Sequence, residues 1–225
     1  MISVLTLTYQ RKDLLEEAIQ SFLNQDYNGE HEMVIVNDCP NVVYSFNHPK
    51  IKIYNISPRF SSVGLKLEWG MKHSSGDYVY RLDDDDLMTP WALSLQNEYI
   101  LNNPGYDVYR CQKHYFYSNN KYQDLSDSIN NGNCYSRDFI NRIDWIDKSI
   151  GEDNHITFHQ NAKIYTGDSG RYSMAYRWGM GVYHISGMGD IPNEEIYEIT
   201  DRSNKESGII TLTPKLNKDY WSEIK

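Results

Sequence analysis

Short apolar runs alternate with segments of helical periodicity through the first half of the chain. Four of these runs predict β-strands because they are rich in β-branched and aromatic residues and end at polar turns. They are ISVLTLT, EMVIVND, IKIYNI and DYVYRLD. Strands that alternate with helices in this way predict an α/β domain with a mostly parallel, doubly wound sheet.

Three helices are predicted between and after these strands. DLLEEAIQSFLNQ has apolar residues at helical spacing, and Asp13 is its expected N-cap. GLKLEWGMKHSSG predicts a helix that closes at Gly76, and WALSLQNEYILNN predicts one that opens at Thr89 and Pro90. In the C-terminal tail, GIITLTP is a candidate strand and DYWSEIK a candidate docking segment.

Polar residues follow three of the predicted strands. In a doubly wound sheet, ligands bind in the crevice outside the carboxyl ends of the strands, so we expect these residues to meet at one edge. They are Thr8, Tyr9, Gln10 and Arg11 after the first strand, Asn37 and Asp38 after the second, and Asp83, Asp84, Asp85 and Asp86 after the fourth.

The four consecutive aspartates pose an electrostatic problem. In an extended backbone, Asp83 and Asp85 project to one side and Asp84 and Asp86 to the other, with about 6 to 7 Å between the members of a pair. Two like charges at that distance oppose each other by roughly 2.5 kcal/mol at an effective dielectric near 20. One interpretation is a solvated acidic loop. The other is a divalent cation held by carboxylate oxygens, and the position of the aspartates at the expected ligand edge favours it.

Composition bounds the class of protein. The chain has 225 residues, 40% of them apolar, which predicts one large globular domain or one domain with a small appendage. The net charge of -9 disfavours a broad nucleic-acid-binding surface. Cys39, Cys111 and Cys134 lack metal-ligand spacing, so we expect reduced structural thiols. No apolar run approaches the length of a membrane span, so we expect a cytoplasmic protein, with peripheral association at the membrane left open.

The first 100 residues resemble the nucleotide-sugar-binding half of a family-2 glycosyltransferase of the GT-A fold. SVLTLTYQRKDLLEEAIQSFLNQDYNGEHEMVIVND is similar to that family's opening strand, turn, helix and second strand, and GDYVYRLDDDDLMTP resembles its metal-binding Asp-X-Asp segment. The resemblance implies a Rossmann-like, mostly parallel central sheet flanked by helices. It also implies a nucleotide-sugar-binding half over residues 1–110, an acceptor-binding and catalytic half over 111–189, and a C-terminal tail over 190–225.

For the nucleotide, the resemblance implies a pocket at the ends of the first two strands. Thr8 and Tyr9 would line the base and ribose pocket, and Asp38 would accept a hydrogen bond from the imide N–H of uracil or thymine. A turn-forming role for Asp38 is the alternative. GLKLEWG departs from the family's usual basic phrase, which leaves phosphate recognition open. The candidate phosphate ligands are Arg11, Arg59 and Lys66.

For the metal and the sugar, the resemblance implies roles within the aspartate run. Asp83 would contact the ribose or the metal, and Asp85 would ligate Mn²⁺ or Mg²⁺ directly. Asp84 would contribute to donor binding, and Asp86 is a candidate for binding the donor sugar's hydroxyls. His184 would complete the metal shell, although a core position on a strand is the alternative.

The second half of the chain must supply a catalytic base and the acceptor site. Glu152 and Asp153 resemble the family's Glu-Asp catalytic pair, with Asp153 as the base and Glu152 as an orienting or acceptor-binding residue. The alternative is an acidic first helical turn favoured by the helix dipole. The rival candidates for the base are Asp144, Asp147 and Asp168.

Arg177 and Trp178 are similar to the Arg-Trp pair of processive polysaccharide synthases, and we expect them on the acceptor side. The preceding glutamine of that motif is absent, since position 174 is Met174. No transmembrane segments follow to form a channel. Transfer of a single sugar is therefore favoured.

The resemblance thus implies a metal-dependent inverting glycosyltransferase that uses a UDP- or dTDP-linked sugar. The expected acceptor is a glycan or a lipid-linked glycan, and the alternative is a hydroxymethylated base in DNA of phage type, which the acidic charge disfavours. Two other classes remain open. A nucleotidyltransferase would normally carry a glycine-rich phosphate loop, but TLTYQRKD has no glycine. A non-catalytic nucleotide- or carbohydrate-binding module would not need both Asp85 and the Glu152–Asp153 pair.

Overall fold

The computed structural model of the protein describes all residues except 124, 128, 159, 180–190, 203–204 and 225, and only the backbone of 126 and 127. No helix within these ranges combines the length and the apolar content that crossing a bilayer requires. The strands are β1 (Ile2–Thr8), β2 (His31–Asn37), β3 (Val42–Ser45), β4 (Ile51–Asn55), β5 (Tyr78–Arg81), β6 (Leu87–Met88), β7 (Val108–Cys111), β8 (Lys113–Ser118), β9 (Lys121–Tyr122), β10 (Ser126–Asp127), β11 (Cys134–Ser136), β12 (Ile164–Gly167), β13 (Met174–Arg177) and β14 (Gly208–Thr211). The helices are α1 (Lys12–Leu23), α2 (Val63–His73), α3 (Ala92–Asn102), α4 (Arg137–Ile140), α5 (Glu152–Phe158) and α6 (Asn193–Arg202).

The largest sheet has seven strands in the order β12-β7-β11-β5-β1-β2-β4. Strands β5, β1, β2 and β4 are parallel neighbours, as are β12 and β7, whereas β11 runs antiparallel to both of its neighbours. The predicted mostly parallel α/β sheet is therefore confirmed. The carboxyl ends of β1, β2 and β5 lie at one edge, which brings the polar residues after these strands together.

The central strands are buried on both faces because helices cover each side of the sheet. Alternate residues of β1 and β2 enter different hydrophobic cores, as the two-residue period of a strand requires. This explains why both strands read as continuous apolar runs. One core contains Val4, Met33 and Ile35 with Leu15, Ile19 and Phe22 of α1; the other contains Leu5, Val34 and Val36 with Leu67 and Met71 of α2.

Two helices begin at other residues than the sequence predicted. Helix α1 begins at Lys12, so Asp13 lies in the first turn and is not the N-cap. Its negative charge there still suits the helix dipole. Helix α3 begins at Ala92, and Pro90 stands outside it. The Pro90 carbonyl oxygen accepts from the Asp26 backbone N–H at 2.9 Å, which connects the start of α3 to the segment after α1.

Helix α2 also ends differently, and the reason concerns Gly76. The Ser62 side chain caps the start by accepting from the Leu65 backbone N–H, and the helix ends at His73. The Gly76 N–H donates to Ser3 Oγ at 2.8 Å. A Cβ atom at position 76 would lie 2.6 Å from the Ser3 backbone nitrogen, so glycine is needed for close approach to β1 and not for ending the helix.

The second half of the chain forms strands that the sequence pattern did not predict. A second sheet has the order β10-β8-β13-β6, and β9 pairs with β8. Strand β6 directly follows residues 83–86, here called the acidic segment, and pairs with β13. The acidic segment therefore lies at the junction of the two sheets. These strands are short and pair with partners far away in sequence, so local pattern carries little signal for them.

The C-terminal tail packs back onto the sheet domain. Strand β14 pairs with β3, which confirms the predicted strand in GIITLTP. The Glu16 side chain of α1 accepts from the Thr213 backbone N–H at 2.7 Å. Glu17 accepts from the Asn217 backbone N–H at 2.9 Å and from the Tyr220 hydroxyl at 2.7 Å. Two buried glutamates of α1 thus hold the end of the chain.

Glu17 also forms an ion pair that is closed off from water. Arg177 Nη1 lies 2.5 Å from Glu17 Oε2, and both residues are 1% exposed. Arg177 Nε donates to the Asp85 carbonyl oxygen at 2.5 Å. This pair connects α1, β13 and the acidic segment. Removal of one partner of such a pair is strongly destabilising because it leaves an uncompensated buried charge.

We expect Glu17→Gln to lower the free energy of unfolding by about 3 to 5 kcal/mol, since the Arg177 charge loses its counter-charge. Urea unfolding followed by circular dichroism measures the loss. The matched control is Glu68→Gln, which breaks the partly exposed Glu68–Lys72 pair on α2. That change should cost less than about 1 kcal/mol. Equal losses for the two variants would contradict the prediction.

Candidate active site

A cleft of about 460 Å³ lies at the carboxyl ends of β1, β2 and β5, bordered by the acidic segment, α5 and α6. Because three parallel strands end at this edge, residues from distant parts of the sequence meet there. The cleft brings together most of the residues expected to bind the donor or to catalyse. They are Thr8, Tyr9, Arg11, Asp38, Lys66, Asp83, Asp85, Glu152 and Asp153.

One end of the cleft is built around Asp38, which follows β2. Lys66 Nζ donates to Asp38 Oδ1 at 2.5 Å and to the Thr8 carbonyl oxygen at 2.8 Å. The Phe60 backbone N–H donates to Asp38 Oδ2 at 3.2 Å. Burial lowers the pKa of Lys66, and the charge of Asp38 opposes that shift. Lys66 is therefore paired with Asp38 at the expected base pocket, and together they offer the cleft an acceptor beside a donor.

Two tyrosines lie on either side of Arg59 at the same end of the cleft. The guanidinium carbon of Arg59 is 3.7 Å from the centroid of the Tyr9 ring and 3.6 Å from that of Tyr197. The Tyr9 hydroxyl donates to Asp201 Oδ1 at 2.5 Å, and Arg59 Nη2 donates to Thr200 Oγ1 at 2.9 Å. Three of these residues belong to α6, so the C-terminal tail forms one wall of the cleft.

The acidic segment turns sharply and does not continue β5. The Asp86 backbone N–H donates to the Asp83 carbonyl oxygen at 3.1 Å, which closes a four-residue turn. Asp83 and Asp85 line the cleft, whereas Asp84 and Asp86 are 0% and 1% exposed. The segment therefore presents the same two aspartates to one side as an extended strand would, although its backbone is a turn.

Arginines offset the repulsion among the four carboxylates. Arg11 forms ion pairs with Asp84 and with Asp85, the second at 2.8 Å. Arg81, the last residue of β5, has its Nε 3.3 Å from Asp83 Oδ1. The acidic segment is therefore not a solvated loop. Its negative charge is also not left to a cation alone to balance, because the protein supplies positive charge of its own.

The two buried aspartates are held by the protein interior. Asp86 Oδ1 accepts from the Arg177 backbone N–H at 2.7 Å, and its other oxygen accepts from the Asn131 side-chain amide. Burial raises the pKa of Asp84 to about 6, although Arg11 opposes the shift. Burial also raises the pKa of Asp86 well above its ordinary value. Both residues therefore shape the turn, and Asp86 lies too deep to reach a sugar in the cleft.

Across the cleft from β1, α5 carries the expected catalytic pair. Arg81 Nη2 lies 3.3 Å from Glu152 Oε1, so one arginine joins the acidic segment to this helix. Glu152 is 6% exposed, and burial raises its pKa to about 7 although Arg81 lowers it. Asp153 is half-buried and lines the cleft. The pair combines a buried carboxyl group that titrates near neutral pH with a side chain open to the cleft.

The candidate metal ligands are only partly within the structure. Asp83 and Asp85 face the cleft as predicted. Within the described ranges, no group of three His, Cys, Asp or Glu side chains is arranged to hold a metal ion. His184, expected to complete the shell, lies outside the described residues.

The two expected acceptor residues occupy opposite environments. Trp178 is 42% exposed, and its ring centroid lies 6.2 Å from that of Tyr176 and 6.5 Å from that of Phe116. Tyr176 lines the cleft, so three aromatic rings extend outward from it. Arg177 points into the interior against Glu17, as the alternation of β13 requires. Its buried position does not fit the expectation that it contacts an acceptor.

The cleft also contains residues that sequence reasoning did not identify. Arg81, Tyr176 and Tyr197 line it, whereas the rival bases Asp144, Asp147 and Asp168 are not among the described lining residues. The signal for Arg81 was its place directly before the acidic segment. The sequence around Tyr197 has no local feature that links it to a strand end. The three cysteines are buried and none is in a disulfide bond, which agrees with the predicted reduced thiols.

Known proteins with related sequences include two glycosyltransferases of Escherichia coli. The chain is 31% identical over 102 residues to the putative colanic acid biosynthesis glycosyl transferase WcaA of Escherichia coli K12, covering 42% of this chain and 36% of that protein. It is 26% identical over 110 residues to the O-antigen biosynthesis glycosyltransferase WbnJ of Escherichia coli, covering 46% and 42%. The chain therefore spans less than half the length of these relatives.

Solved glycosyltransferase structures share the fold. Staphylococcus aureus TarS 1-349 in complex with UDP-GlcNAc aligns with a TM-score of 0.68 and 20% identity, over 88% of this chain and 64% of that one. The mannosyltransferase PcManGT from Pyrobaculum calidifontis, in complex with GDP-Man and Mn²⁺, aligns with a TM-score of 0.58 and 15% identity, over 78% and 56%. At these identities the likeness identifies the fold, which is GT-A.

The sequence profile described as "Glycosyl transferase family 2" matches residues 3–160 of the chain. The matched region contains the acidic segment and the Glu152–Asp153 pair, which the fold brings to one cleft. With its central sheet, its cleft and this match over most of its length, the chain belongs to glycosyl transferase family 2.

Proposed function

We propose that the chain transfers one sugar from a UDP- or dTDP-linked donor to an acceptor hydroxyl, with inversion at the anomeric carbon. The observation that carries the proposal is a single cleft lined by Asp38, Asp85 and Asp153. Asp38 follows β2, Asp85 belongs to the acidic segment and Asp153 lies in α5, and each suits a different part of the reaction. Asp38 would bind the base, Asp85 would lie at the diphosphate, and Asp153 would act on the acceptor.

The base end of the cleft favours a pyrimidine that carries an imide. The Asp38 carboxylate can accept from the imide N–H, and Lys66 Nζ beside it can donate to a neighbouring carbonyl oxygen. Uracil and thymine offer that donor and acceptor on adjacent atoms of one edge. TarS was solved with UDP-GlcNAc, which agrees with a uridine donor, whereas PcManGT was solved with GDP-Man. The fold by itself therefore leaves the base open, and the Asp38–Lys66 pair is what favours uracil or thymine.

Asp85 and Asp83 would hold a divalent ion, Mn²⁺ or Mg²⁺. Their donor set fits, because such ions are often bound by one or two carboxylates and take further ligands from substrate phosphates and water. Both carboxylates open onto the cleft, where a diphosphate can reach them. The ion, when bound, supplies positive charge to the diphosphate leaving group. His184 remains the predicted additional ligand.

Asp153 is the proposed general base. It lies on the cleft wall in the first turn of α5. Its role is to take the proton from the acceptor hydroxyl as that oxygen attacks the anomeric carbon from the face opposite the leaving phosphate. Glu152 is buried against Arg81, so it would orient the helix and the acceptor and would not itself take the proton.

The acceptor side favours a glycan. Phe116, Tyr176 and Trp178 present an aromatic surface beside the cleft, and aromatic rings offer apolar faces on which the C–H groups of a sugar ring can pack. The names of WcaA and WbnJ describe polysaccharide biosynthesis, which agrees with this class. A DNA acceptor is disfavoured by the net charge of -9. A nucleotidyltransferase or a non-catalytic binding module would leave the placement of Asp153 on the cleft wall without a purpose.

We expect UDP to bind about tenfold or more tightly with Mn²⁺ than with a chelator, and Asp85→Asn to erase that difference. The reason is that Asp85 would hold the ion that contacts the diphosphate. Isothermal titration calorimetry measures the UDP affinity of each protein with Mn²⁺ and with a chelator. Asp168→Asn is the matched control, because Asp168 is exposed and outside the cleft. Equal UDP affinity of the unmodified protein with and without chelator would exclude the proposed metal site.

We expect Asp153→Asn to reduce turnover by about 10² to 10⁴-fold, since the amide cannot accept the proton. The Michaelis constant for the donor should change little, because the base and the diphosphate bind elsewhere in the cleft. Steady-state transfer from UDP-sugars to glycan acceptors separates the two constants. Glu152→Gln should lose less turnover. Near-normal turnover of Asp153→Asn, together with inactivity of Glu152→Gln, would move the base assignment to Glu152.

Glu152 should make stability depend on pH, with a sign set by its raised pKa. The folded protein keeps the Glu152 proton up to about pH 7, whereas the unfolded chain releases it near the ordinary value of 4.5. Glu152 therefore lowers stability progressively as the pH rises from 4.5 to about 7. Glutamine resembles the protonated form, and Arg81 keeps its ion pair with Asp83 when Glu152 is replaced. We therefore expect Glu152→Gln to stabilise the protein by about 3 kcal/mol above neutral pH and by little near pH 4.5.

Urea unfolding of both proteins between about pH 5 and 8 measures this trend. Glu32→Gln is the control, because Glu32 is equally buried. Burial acts to raise the pKa of Glu32, but Lys52, Ser75 and Ser3 hold it below its ordinary value. Its stabilising effect is lost only at lower pH, so the difference between Glu32→Gln and the unmodified protein should stay constant over this window. The same flat profile for Glu152→Gln would contradict the prediction.

A further inference from the structure

We propose that Tyr9 and Tyr197 form a two-sided clamp for the nucleobase of the donor, and that Arg59 occupies this clamp when no nucleotide is bound. The inference rests on the proposed donor site. It adds to that site Tyr197, a residue of the C-terminal tail. It also adds a competition between Arg59 and the base for the space beside the two rings, here called the slot. The three side chains lie against one another. The Arg59 guanidinium carbon lies 3.7 Å from one ring centroid and 3.6 Å from the other.

The slot between the two rings has the dimensions of a flat aromatic group. A guanidinium is planar and stacks on aromatic faces much as a nucleobase does. The guanidinium carbon lies within 3.7 Å of both ring centroids, so one planar group already contacts both tyrosine rings. A pyrimidine could therefore replace the guanidinium without moving either tyrosine far. A base held on both faces gains stacking on both, and such stacking is tolerant of base identity.

The slot lies beside the group that would read the base edge. Phe60 follows Arg59 and donates its backbone N–H to Asp38 Oδ2 at 3.2 Å. The Tyr197 hydroxyl donates to the Phe60 carbonyl oxygen. One residue thus connects the Tyr197 ring to Asp38, and a base in the slot would have its edge close to the Asp38 carboxylate. Stacking and edge recognition would then act on the same ring.

The contacts that hold Arg59 in the slot are of a kind that a ligand can replace. Arg59 Nη2 donates to Thr200 Oγ1 at 2.9 Å, and Arg59 Nη1 lies 3.3 Å from Asp201 Oδ1. The Asp201 side chain is 58% exposed, and ion pairs with an exposed partner contribute little. Arg59 sits on the loop after β4 and can turn toward solvent or toward the diphosphate when a base enters. It therefore keeps the aromatic slot filled without closing it permanently.

The location of Tyr197 gives the tail a role in donor binding. Helix α6 places Ile196, Tyr197 and Thr200 on the cleft wall. The helix is joined to the loop before α5 through Asn193, whose side-chain oxygen accepts from the Ser149 backbone N–H at 3.0 Å. A base seated against Tyr197 would thus be recognised by an element outside the region that the family profile matches, residues 3–160.

The first test compares two substitutions of Tyr197 by calorimetry with UDP and with inorganic pyrophosphate, both with Mn²⁺ present. Tyr197→Leu keeps an apolar side chain at this position but removes the aromatic face, so UDP binding should weaken about tenfold while pyrophosphate binding stays unchanged. Tyr197→Phe keeps the ring and should bind UDP within about threefold of the unmodified protein. Unchanged UDP affinity of Tyr197→Leu, or an equal loss for UDP and pyrophosphate, would overturn the clamp.

The second test concerns the competition between Arg59 and the base. Uridine lacks phosphates, so it reports on the slot alone, and NMR titration measures its weak affinity. Arg59→Ala should bind uridine more tightly, by about threefold or more, because the slot no longer has to be emptied. The matched control is Arg171→Ala, an exposed arginine outside the cleft. Uridine affinity of Arg59→Ala equal to or below that of the unmodified protein would overturn the placeholder role.

These outcomes separate the inference from the function on which it rests. If the unmodified protein binds neither UDP nor any other nucleoside diphosphate with Mn²⁺, the proposed donor site fails and the clamp fails with it. If the unmodified protein binds UDP and Tyr197→Leu binds it equally well, only the clamp is wrong.

Discussion

Four adjacent carboxylates at the end of a buried strand repel one another, and the arginines that offset this repulsion organise the rest of the structure. Arg11 follows β1 and pairs with Asp84 and Asp85, while Arg81 ends β5 and pairs with Asp83. An arginine taken out of water is costly unless it is paired and hydrogen-bonded. The acidic segment therefore determines where the turn after β1 lies, and with it one side of the cleft.

The need of buried arginines for charged partners also connects regions that are far apart in the sequence. Arg81 reaches Glu152, so the segment that would hold the donor diphosphate and the helix that carries the proposed base share one arginine. Arg177 donates to the Asp85 carbonyl oxygen within the turn. It also pairs with Glu17 of α1, and Glu17 in turn binds the C-terminal tail. The buried charges around the acidic segment form a connected set, so a change at one of them is expected to alter the position of the others.

The base end of the cleft is built with different chemistry. Asp38 and Lys66 form an ion pair, and under the proposed function their remaining hydrogen-bonding groups would bind one edge of a heterocycle. Tyr9 and Tyr197 supply flat apolar surface on either side of Arg59. Since α6 carries Tyr197, the tail is part of the site and not an appendage to it. Under the proposed function, the base would bind beside Asp38 and the acceptor hydroxyl would be activated at Asp153, and the acidic segment borders the same cleft.

The sequence by itself determined the four parallel strands β1, β2, β4 and β5 of the central sheet and the edge at which polar residues meet, because strand periodicity and the rule for parallel strand ends are local properties of the chain. It placed Thr8, Tyr9, Asp38, Asp83 and Asp85 at that edge correctly. Only the tertiary structure decided which buried charge pairs with which. Arg177 pairs with Glu17 in the interior, and Tyr197 contacts Arg59. These contacts could not be predicted, because the partners lie more than a hundred residues apart and no local pattern encodes them. The physical reason is that a buried ion or a stacked ring is stabilised by whatever the fold brings beside it, whereas a strand is specified by its own alternation.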